Sequence, residues 1–152
     1  RMPEEKTAVQ KEFSERDAQI VRKNVEENVL DMVRAHPETT FYFYTPPYSI
    51  VWWYTQQCYG NVLRYFEAEK LQAEMLLEYD NVKLYSFADM FDLTQDLDNY
   101  KDDKHYNAEI SDKIIDWIYD GTGLITKENY EERISKMEEF YLNQVSESSF
   151  SE

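Results

Sequence analysis

Two short runs of β-branched and aromatic residues, separated by a long helical pattern, constrain the fold of this chain more than any other feature. The first run covers residues 40–45 and stops at Pro46-Pro47, and the second covers residues 82–87. Between them, the segment 61–79 carries apolar residues at helical spacing. A strand, a helix and a strand in this order predict two parallel neighbours in one sheet, joined by a right-handed crossover. The runs lack polar alternation, which predicts burial on both faces.

The other periodic segments are helical, and few residues interrupt them. Apolar positions recur at helical spacing over residues 17–35 and 107–119, and again in a helix that we expect Thr126 to cap. The aromatic segment 48–60 predicts a mixture of loop and one or two helical turns. Only 3 Gly and 4 Pro among 152 residues argue against a sandwich of many short strands. The predicted class is therefore α/β and helix-rich.

The ends of the chain differ in composition from its middle. Residues 1–15 are polar and aperiodic, which predicts a flexible lead-in, and residues 146–152 are rich in Ser and Glu, which predicts a disordered tail. Residues 16–145 then belong to one α/β domain, for which two strands are too few. We therefore expect further strands from a missing N-terminal half or from another copy of the chain, so that the isolated chain forms a homo-oligomer.

The chain is strongly acidic, with 31 Asp and Glu against 16 Lys and Arg and a formal net charge of −15. This balance opposes binding to nucleic acid or anionic lipid, because both require clustered basic residues. No apolar run approaches the length of a transmembrane helix. The single Cys58 has no second cysteine with which to bind a metal, and the acidic run 89–103 lacks the ligand spacing of a calcium loop. We expect neither a metal nor a cofactor.

The candidate chemistry lies in Asp102 and His105, three residues apart and just before the helical segment 107–119. A carboxylate at that spacing can accept a hydrogen bond from the imidazole, fix its tautomer and stabilise the imidazolium, which makes the histidine a general base. The residues allow an alternative, in which Asp102 is a solvated loop charge and His105 caps the following helix. The loop follows a parallel strand, where functional loops gather in open α/β sheets, and this context gives the catalytic interpretation the same weight as the alternative.

Three segments make the chain resemble the C-terminal half of an SGNH-type (GDSL-like) hydrolase. They are Phe-Tyr-Phe-Tyr-Thr-Pro-Pro-Tyr-Ser at 41–49, Asn-Val-Lys-Leu-Tyr-Ser-Phe at 81–87 and Asp-Asp-Lys-His-Tyr at 102–106. The chain looks most like bacterial SGNH-like proteins that are distantly related to the D-alanyl transfer protein of teichoic acid synthesis. The resemblance implies a partial three-layer α/β/α sandwich with a flavodoxin-like parallel sheet. It also implies that Asp102 and His105 are two members of a catalytic triad.

The third triad member is missing from the sequence. The family carries its serine nucleophile in a Gly-Asp-Ser-like block near the N-terminus, and neither that block nor the oxyanion-hole blocks occur in this chain. Ser49, Ser86 and Ser111 lack the flanking nucleophile turn, so we reject each as the nucleophile. The resemblance therefore implies that an N-terminal half supplies the serine and that the chain alone is inactive.

Four residues are predicted to bind substrate: Tyr48, Ser49, Trp52 and Tyr106. Tyr48 and Ser49 follow the first strand, where a pocket wall is expected, and Tyr106 directly follows the candidate base. Trp52 offers an aromatic face for stacking on a sugar ring. The alternative for Tyr48 and Trp52 is packing in the core. Adjacent tryptophans point in different directions, so at least one of Trp52 and Trp53 is expected in the core.

The predicted function is that of the C-terminal portion of a serine esterase or acyltransferase of the SGNH type, acting on O-acyl esters such as those of a cell-wall glycan. That function places the protein outside the cytoplasm or at the surface of a bacterium. The alternative, motivated by the missing nucleophile, is a non-catalytic scaffold or a glycan- or protein-binding module that retains only the fold.

Overall fold

In the computed structural model, which describes residues 9–146 and Ser149, helices pack around a three-stranded sheet. The strands are β1 (Phe41–Thr45), β2 (Val82–Ser86) and β3 (Leu124–Ile125). The α-helices of these residues are α1 (Glu15–Val25), α2 (Asp31–Ala35), α3 (Ile50–Cys58), α4 (Val62–Leu76), α5 (Phe91–Gln95), α6 (Ala108–Asp120) and α7 (Tyr130–Asn143). A π-helical turn, Glu26–Leu30, joins α1 to α2, and a 3₁₀ turn, Leu97–Asn99, follows α5. The helix-rich α/β class is confirmed.

The predicted parallel pair is present and forms the centre of the sheet. β1 pairs with β2 in parallel, in a register that runs from Phe41↔Val82 to Thr45↔Ser86. The helix between them, α4, packs over both strands, so the crossover predicted from the strand–helix–strand pattern is confirmed.

The third strand, β3, was not predicted, and it runs antiparallel to β2. It is only two residues long, which is too short to leave an alternating pattern in the sequence. Gly123 makes the pairing possible: its φ is +83°, and a Cβ there would lie 2.9 Å from the Ser86 carbonyl oxygen. A mixed sheet of three strands is smaller than the sheet of a flavodoxin-like sandwich. The predicted three-layer sandwich therefore stays a prediction.

The two faces of the sheet are covered unequally. Phe41, Phe43 and Leu84 face α2 and α4, in a cluster closed by the first helix and its π-helical turn. On the opposite face α6 covers Tyr85, but it does not extend over β1, where Tyr42 remains 55% and Tyr44 42% exposed. The prediction that β1 is buried on both faces is therefore wrong, because one helix covers only the β2 half of that face.

The aromatic segment after β1 is more helical than its sequence indicated, because α3 spans nine residues. The Ser49 hydroxyl begins this helix by accepting a hydrogen bond from the Trp52 N–H at 3.3 Å. Trp53 is 0% exposed and stacks between Phe66 and Tyr141, with ring centroids 4.8 and 4.3 Å away. This aromatic stack joins α3, α4 and α7 into the main core.

A backbone hydrogen bond ties the residues before the first helix to the rest of the chain. The Lys11 N–H donates to the Gly60 carbonyl at 2.8 Å, which places residues 9–14 beside the turn between α3 and α4. At the other end, α2 stops before His36-Pro37, as the proline requires. Residues 1–8 of the predicted lead-in, and residues 147–148 and 150–152 of the predicted tail, lie outside the described residues.

The last helix, α7, begins later than predicted. Thr126 does not cap it; Asn129 precedes its first residue, and the Thr126 carbonyl accepts hydrogen bonds from the N–H groups of Asn129 and Tyr130. Of the apolar residues that recur at helical spacing in α7, Ile134, Met137 and Tyr141 are buried, and Tyr130 is partly buried.

Candidate active site

The structure brings Asp102 and His105 into direct contact. The His105 Nδ1 atom lies 2.7 Å from Asp102 Oδ2 and 2.9 Å from Oδ1. No other described residue hydrogen-bonds the imidazole, and the side chains of His105 and Asp102 are 75% and 50% exposed. The pair therefore has the arrangement of a carboxylate that orients a histidine, with the Nε2 edge of the ring open to a reactant.

Backbone hydrogen bonds hold the carboxylate in its charged form. Asp102 Oδ1 accepts from the N–H groups of His105 at 2.8 Å and Lys104 at 2.9 Å. These backbone donors, followed by the His105 ring, lower the pKa of Asp102 to about 2. Asp102 is thus a carboxylate throughout the neutral range.

A short antiparallel bridge fixes the loop that carries the pair. Tyr100 pairs with Tyr106, and the Lys101 N–H donates to the His105 carbonyl at 2.7 Å. Asn107 then caps α6, because its side-chain oxygen accepts from the Ile110 N–H at 3.1 Å. His105 is therefore not the cap of α6, and that part of the alternative interpretation is wrong.

Two hydrogen bonds attach this loop to the segment after β1. The Tyr100 hydroxyl donates to the Pro47 carbonyl at 2.6 Å, and the Ser49 hydroxyl donates to the Asp103 carbonyl at 2.6 Å. Burial and the nearby phenol of Tyr106 raise the pKa of Tyr100, so its hydroxyl stays a donor. The carboxyl end of β1 and the His105 loop are in this way held next to each other.

A cavity of about 630 Å³ lies between these two segments. Its lining joins the candidate base to two of the predicted substrate residues: Pro46, Tyr48, Lys101, Asp102, Lys104, His105, Tyr106 and Ser111. Tyr106 is fixed there by a 3.3 Å hydrogen bond between its hydroxyl and that of Tyr44. The sequence did not identify the two lysines, because exposed lysines in an acidic loop carry no distinguishing pattern.

The other two predicted substrate residues point away from this cavity. Ser49 is fully buried, with its hydroxyl committed to the Asp103 carbonyl and the start of α3. Trp52 is 7% exposed and lies behind Tyr48, with their ring centroids 4.4 Å apart. Their direct contact with substrate stays a prediction. In the structure, Ser49 contacts the Asp103 carbonyl, and Trp52 contacts Tyr48 of the cavity wall.

The three rejected serines do not complete a triad within the described residues. Ser111 lines the cavity, but its hydroxyl donates to the Asn107 carbonyl one helical turn away. The hydroxyl of Ser86 donates to Glu69 and to Met137 on the far side of the sheet. No described hydroxyl hydrogen-bonds the His105 ring.

A second unusual carboxyl, Glu69, lies where β1 and β2 end. Its Oε1 accepts from the Thr45 hydroxyl at 2.9 Å, and its Oε2 is enclosed without a hydrogen-bond partner, although the stem of the side chain is partly exposed. Burial raises the pKa of Glu69 to about 7. No sequence pattern distinguishes this residue, because a glutamate inside a helical segment normally faces solvent.

Comparison with protein-family models, with curated proteins and with solved structures finds no significant match to this chain. The resemblance to SGNH hydrolases therefore stays a prediction from the quoted segments.

Two kinds of feature are absent from the described residues. They contain no group of three or more His, Cys, Asp or Glu side chains that could hold a metal ion. In the same part of the chain, no helix has both the length and the apolar character needed to cross a bilayer.

Proposed function

We propose that Asp102 and His105 form the base of an acyl-transfer site that acts on O-acyl esters. The observation that carries this proposal is the 2.7 Å contact between His105 Nδ1 and the Asp102 carboxylate. When the Nδ1–H group donates a hydrogen bond to the Asp102 carboxylate, the lone pair of the neutral imidazole is on Nε2. Nε2 then removes the proton of an attacking hydroxyl and returns it to the departing alcohol.

The role of Asp102 in this proposal is electrostatic and orientational. Its low pKa, caused mainly by the two backbone donors, keeps it ionised while the adjacent imidazole gains and loses a proton. The negative charge stabilises the imidazolium that forms during the transfer. The aromatic rings of Tyr48 and Tyr106 supply an apolar wall for the acyl group or for the sugar of a cell-wall glycan.

The attacking serine belongs, in this proposal, to an N-terminal half of an SGNH-type enzyme of a bacterial envelope. That half would also add parallel strands and complete a three-layer sandwich. Such enzymes work on esters outside the cytoplasm, which is where we place this protein.

The second candidate function is a binding module without catalysis. It is favoured by one observation: no described hydroxyl contacts the His105 ring. The reading frame upstream of Arg1 distinguishes the two candidates. A Gly-Asp-Ser-like block in that frame supports the enzyme, and a frame without one supports the module.

Replacement of His105 tests the enzymatic proposal directly. In the protein expressed from its complete reading frame, His105→Ala is expected to lower hydrolysis of a small acyl ester by at least about a thousandfold, because the general base is lost. Asp102→Asn is expected to lower it by a comparable factor through the wrong tautomer.

The chain provides its own control in His36, the second of its 2 histidines. His36 contacts Glu38 at 3.5 Å at the end of α2 and does not line the cavity. His36→Ala should therefore leave the turnover of the acyl ester unchanged. Equal turnover by the His105→Ala and wild-type proteins would eliminate the assignment.

A further inference from the structure

The outer edge of β1 has unpaired backbone groups. In the parallel ladder with β2, the Phe41 N–H donates to the Asn81 carbonyl at 2.8 Å and the Phe87 N–H donates to the Thr45 carbonyl at 3.2 Å. Alternate residues of a parallel strand direct both backbone groups to the same neighbour. The N–H and C=O groups of Tyr42 and Tyr44 therefore point away from β2, and no described residue pairs with them.

Within β1 itself, this edge lacks the features with which proteins usually protect an exposed strand, and Pro46-Pro47 follow only after its last residue. The segment Phe41–Thr45 contains no proline, no lysine and no bulge, and its partner register is unbroken. The side chains beside it are apolar and exposed: Ile115 and Tyr119 of α6 are 67% and 94% exposed. With Tyr42 they line a groove on the α6 face of the sheet, which also contains the charged side chains of Lys83 and Asp120.

We propose that a second copy of this chain pairs with that edge, β1 against β1, around a two-fold axis that passes beside Phe43. A two-fold axis perpendicular to a strand always generates an antiparallel partner. Tyr42 then lies opposite the partner's Tyr44, and such pairs exchange both of their N–H···O bonds. The two outward residues of β1 lie symmetrically about Phe43, so all four of their backbone groups are satisfied in each copy.

Because the edge of β1 is self-complementary in this way, a second copy of the chain is the partner that fits it best. The pairing produces a continuous six-stranded sheet and places the exposed tyrosines of both copies on one face. In a longer protein, an N-terminal half that adds strands would use the same edge. The inference concerns the 152-residue chain and does not depend on the acyl-transfer proposal.

Size and charge set the expected strength of the association. The strand edge and the exposed flanks of two tyrosines bury less than the roughly 800 Å² per partner of a stable complex. The copies also repel each other, because each carries a formal net charge of −15. We therefore expect a dimer in the micromolar range that tightens as salt screens the repulsion.

Hydrogen exchange and sedimentation of the 152-residue chain test the pairing. As the concentration rises from about 1 to 200 μM, the amide protons of Tyr42 and Tyr44 should become protected at least about tenfold, in step with dimer formation. The Phe43 N–H faces β2 in every state, so its protection serves as the internal reference.

Two substitutions at one position separate edge pairing from simple apolar contact. Tyr42→Pro removes an outward N–H without breaking the β1–β2 ladder, and edge strands tolerate proline at such positions. Tyr42→Val removes the same aromatic ring but keeps the N–H. We expect Tyr42→Pro to remain monomeric at 200 μM and Tyr42→Val to dimerise, with circular dichroism confirming that both variants fold.

Three results would overturn the proposal. One is a wild-type monomer at 200 μM in 0.3 M NaCl. Another is a dimer in which Tyr42 and Tyr44 exchange as fast as in the monomer. The third is a folded Tyr42→Pro variant that dimerises as well as Tyr42→Val, since that places the interface on another surface.

Discussion

At the scale of single residues, the Asp102–His105 contact was the most predictable part of the site. The three-residue spacing before a helix allowed the hydrogen bond to be predicted, although the same residues also allowed a solvated Asp102 and a helix-capping His105. The sequence could not show which side chains share the cavity. Tyr48 and Trp52 are four residues apart near the start of α3, yet only Tyr48 faces the cavity. That difference depends on how α3 packs on Tyr65, with which the Trp52 ring makes an edge contact.

Glu69 is the residue at which pH is expected to affect stability most directly. Because burial raises its pKa from 4.5 to about 7, the folded chain holds a proton that the unfolded chain has already released. The contribution of Glu69 to stability is therefore complete below about pH 4.5 and is lost as the pH rises to about 7. A shift of this size corresponds to about 3 kcal/mol.

Glu69→Gln should remove this loss, since an amide does not ionise. Between pH 5 and pH 8, the wild type should therefore lose about 2–3 kcal/mol of unfolding free energy relative to Glu69→Gln. Urea denaturation across that range measures it. Glu74→Gln, which removes the same charge from an exposed position on α4, provides the control. A pH dependence identical in wild type and Glu69→Gln would show that the carboxyl is ionised in the folded state.

At the scale of elements, the sequence predicted long elements well and short ones poorly. The parallel pair and α4 have strong periodicity and were correctly identified. β3 was not predicted because a strand of two residues is too short to show periodicity. Its place in the sheet depends on the close approach of Gly123 to Ser86. α3 was underestimated because its residues are apolar on nearly all sides, as a helix enclosed by other helices requires.

Arg133 is the side chain that docks α7 on the end of the sheet. Its guanidinium donates to both oxygens of Asp89, at 2.8 and 2.7 Å, and to the carbonyls of Ser86, Gly123 and Leu124. The pair is largely buried, with side chains 21% and 16% exposed. Removal of one partner would leave a buried charge without compensation.

Arg133→Met should therefore lower the free energy of unfolding by about 3–5 kcal/mol. The double variant Arg133→Met with Asp89→Asn should recover part of that loss, because the uncompensated charge is gone. Urea titration of the wild type, the two single variants and the double variant completes the cycle. A loss below about 1 kcal/mol for Arg133→Met would mean that water replaces the guanidinium at little cost.

At the scale of the whole molecule, the excess of negative charge is the dominant property. Several acidic side chains lie on the exposed faces of α6 and α7, where they repel one another. The sequence established this charge without any structure. The register of the proposed strand pairing required coordinates, because it depends on which backbone groups of β1 point outward.

Salt should stabilise the folded chain at pH 7. An increase from about 10 to 150 mM NaCl shortens the screening length from roughly 30 to 8 Å, and we expect the unfolding free energy to rise by on the order of 1 kcal/mol. The Tyr42→Pro variant suits this measurement because it excludes association. Near pH 4.5, the isoelectric point, the same increase in salt should have little effect. An equal gain at both pH values would point to a source other than charge repulsion.

The stack of Trp53 between Phe66 and Tyr141 has a consequence for synthesis of the chain. α3 leaves the ribosome well before α7, and nothing made earlier can supply the ring of Tyr141, 4.3 Å from Trp53 in the finished core. At rates of about 5–20 residues per second, the delay is roughly 5–20 seconds. For that time the nascent chain exposes an aromatic segment that the finished core covers, and exposed apolar segments of this kind are prone to aggregate.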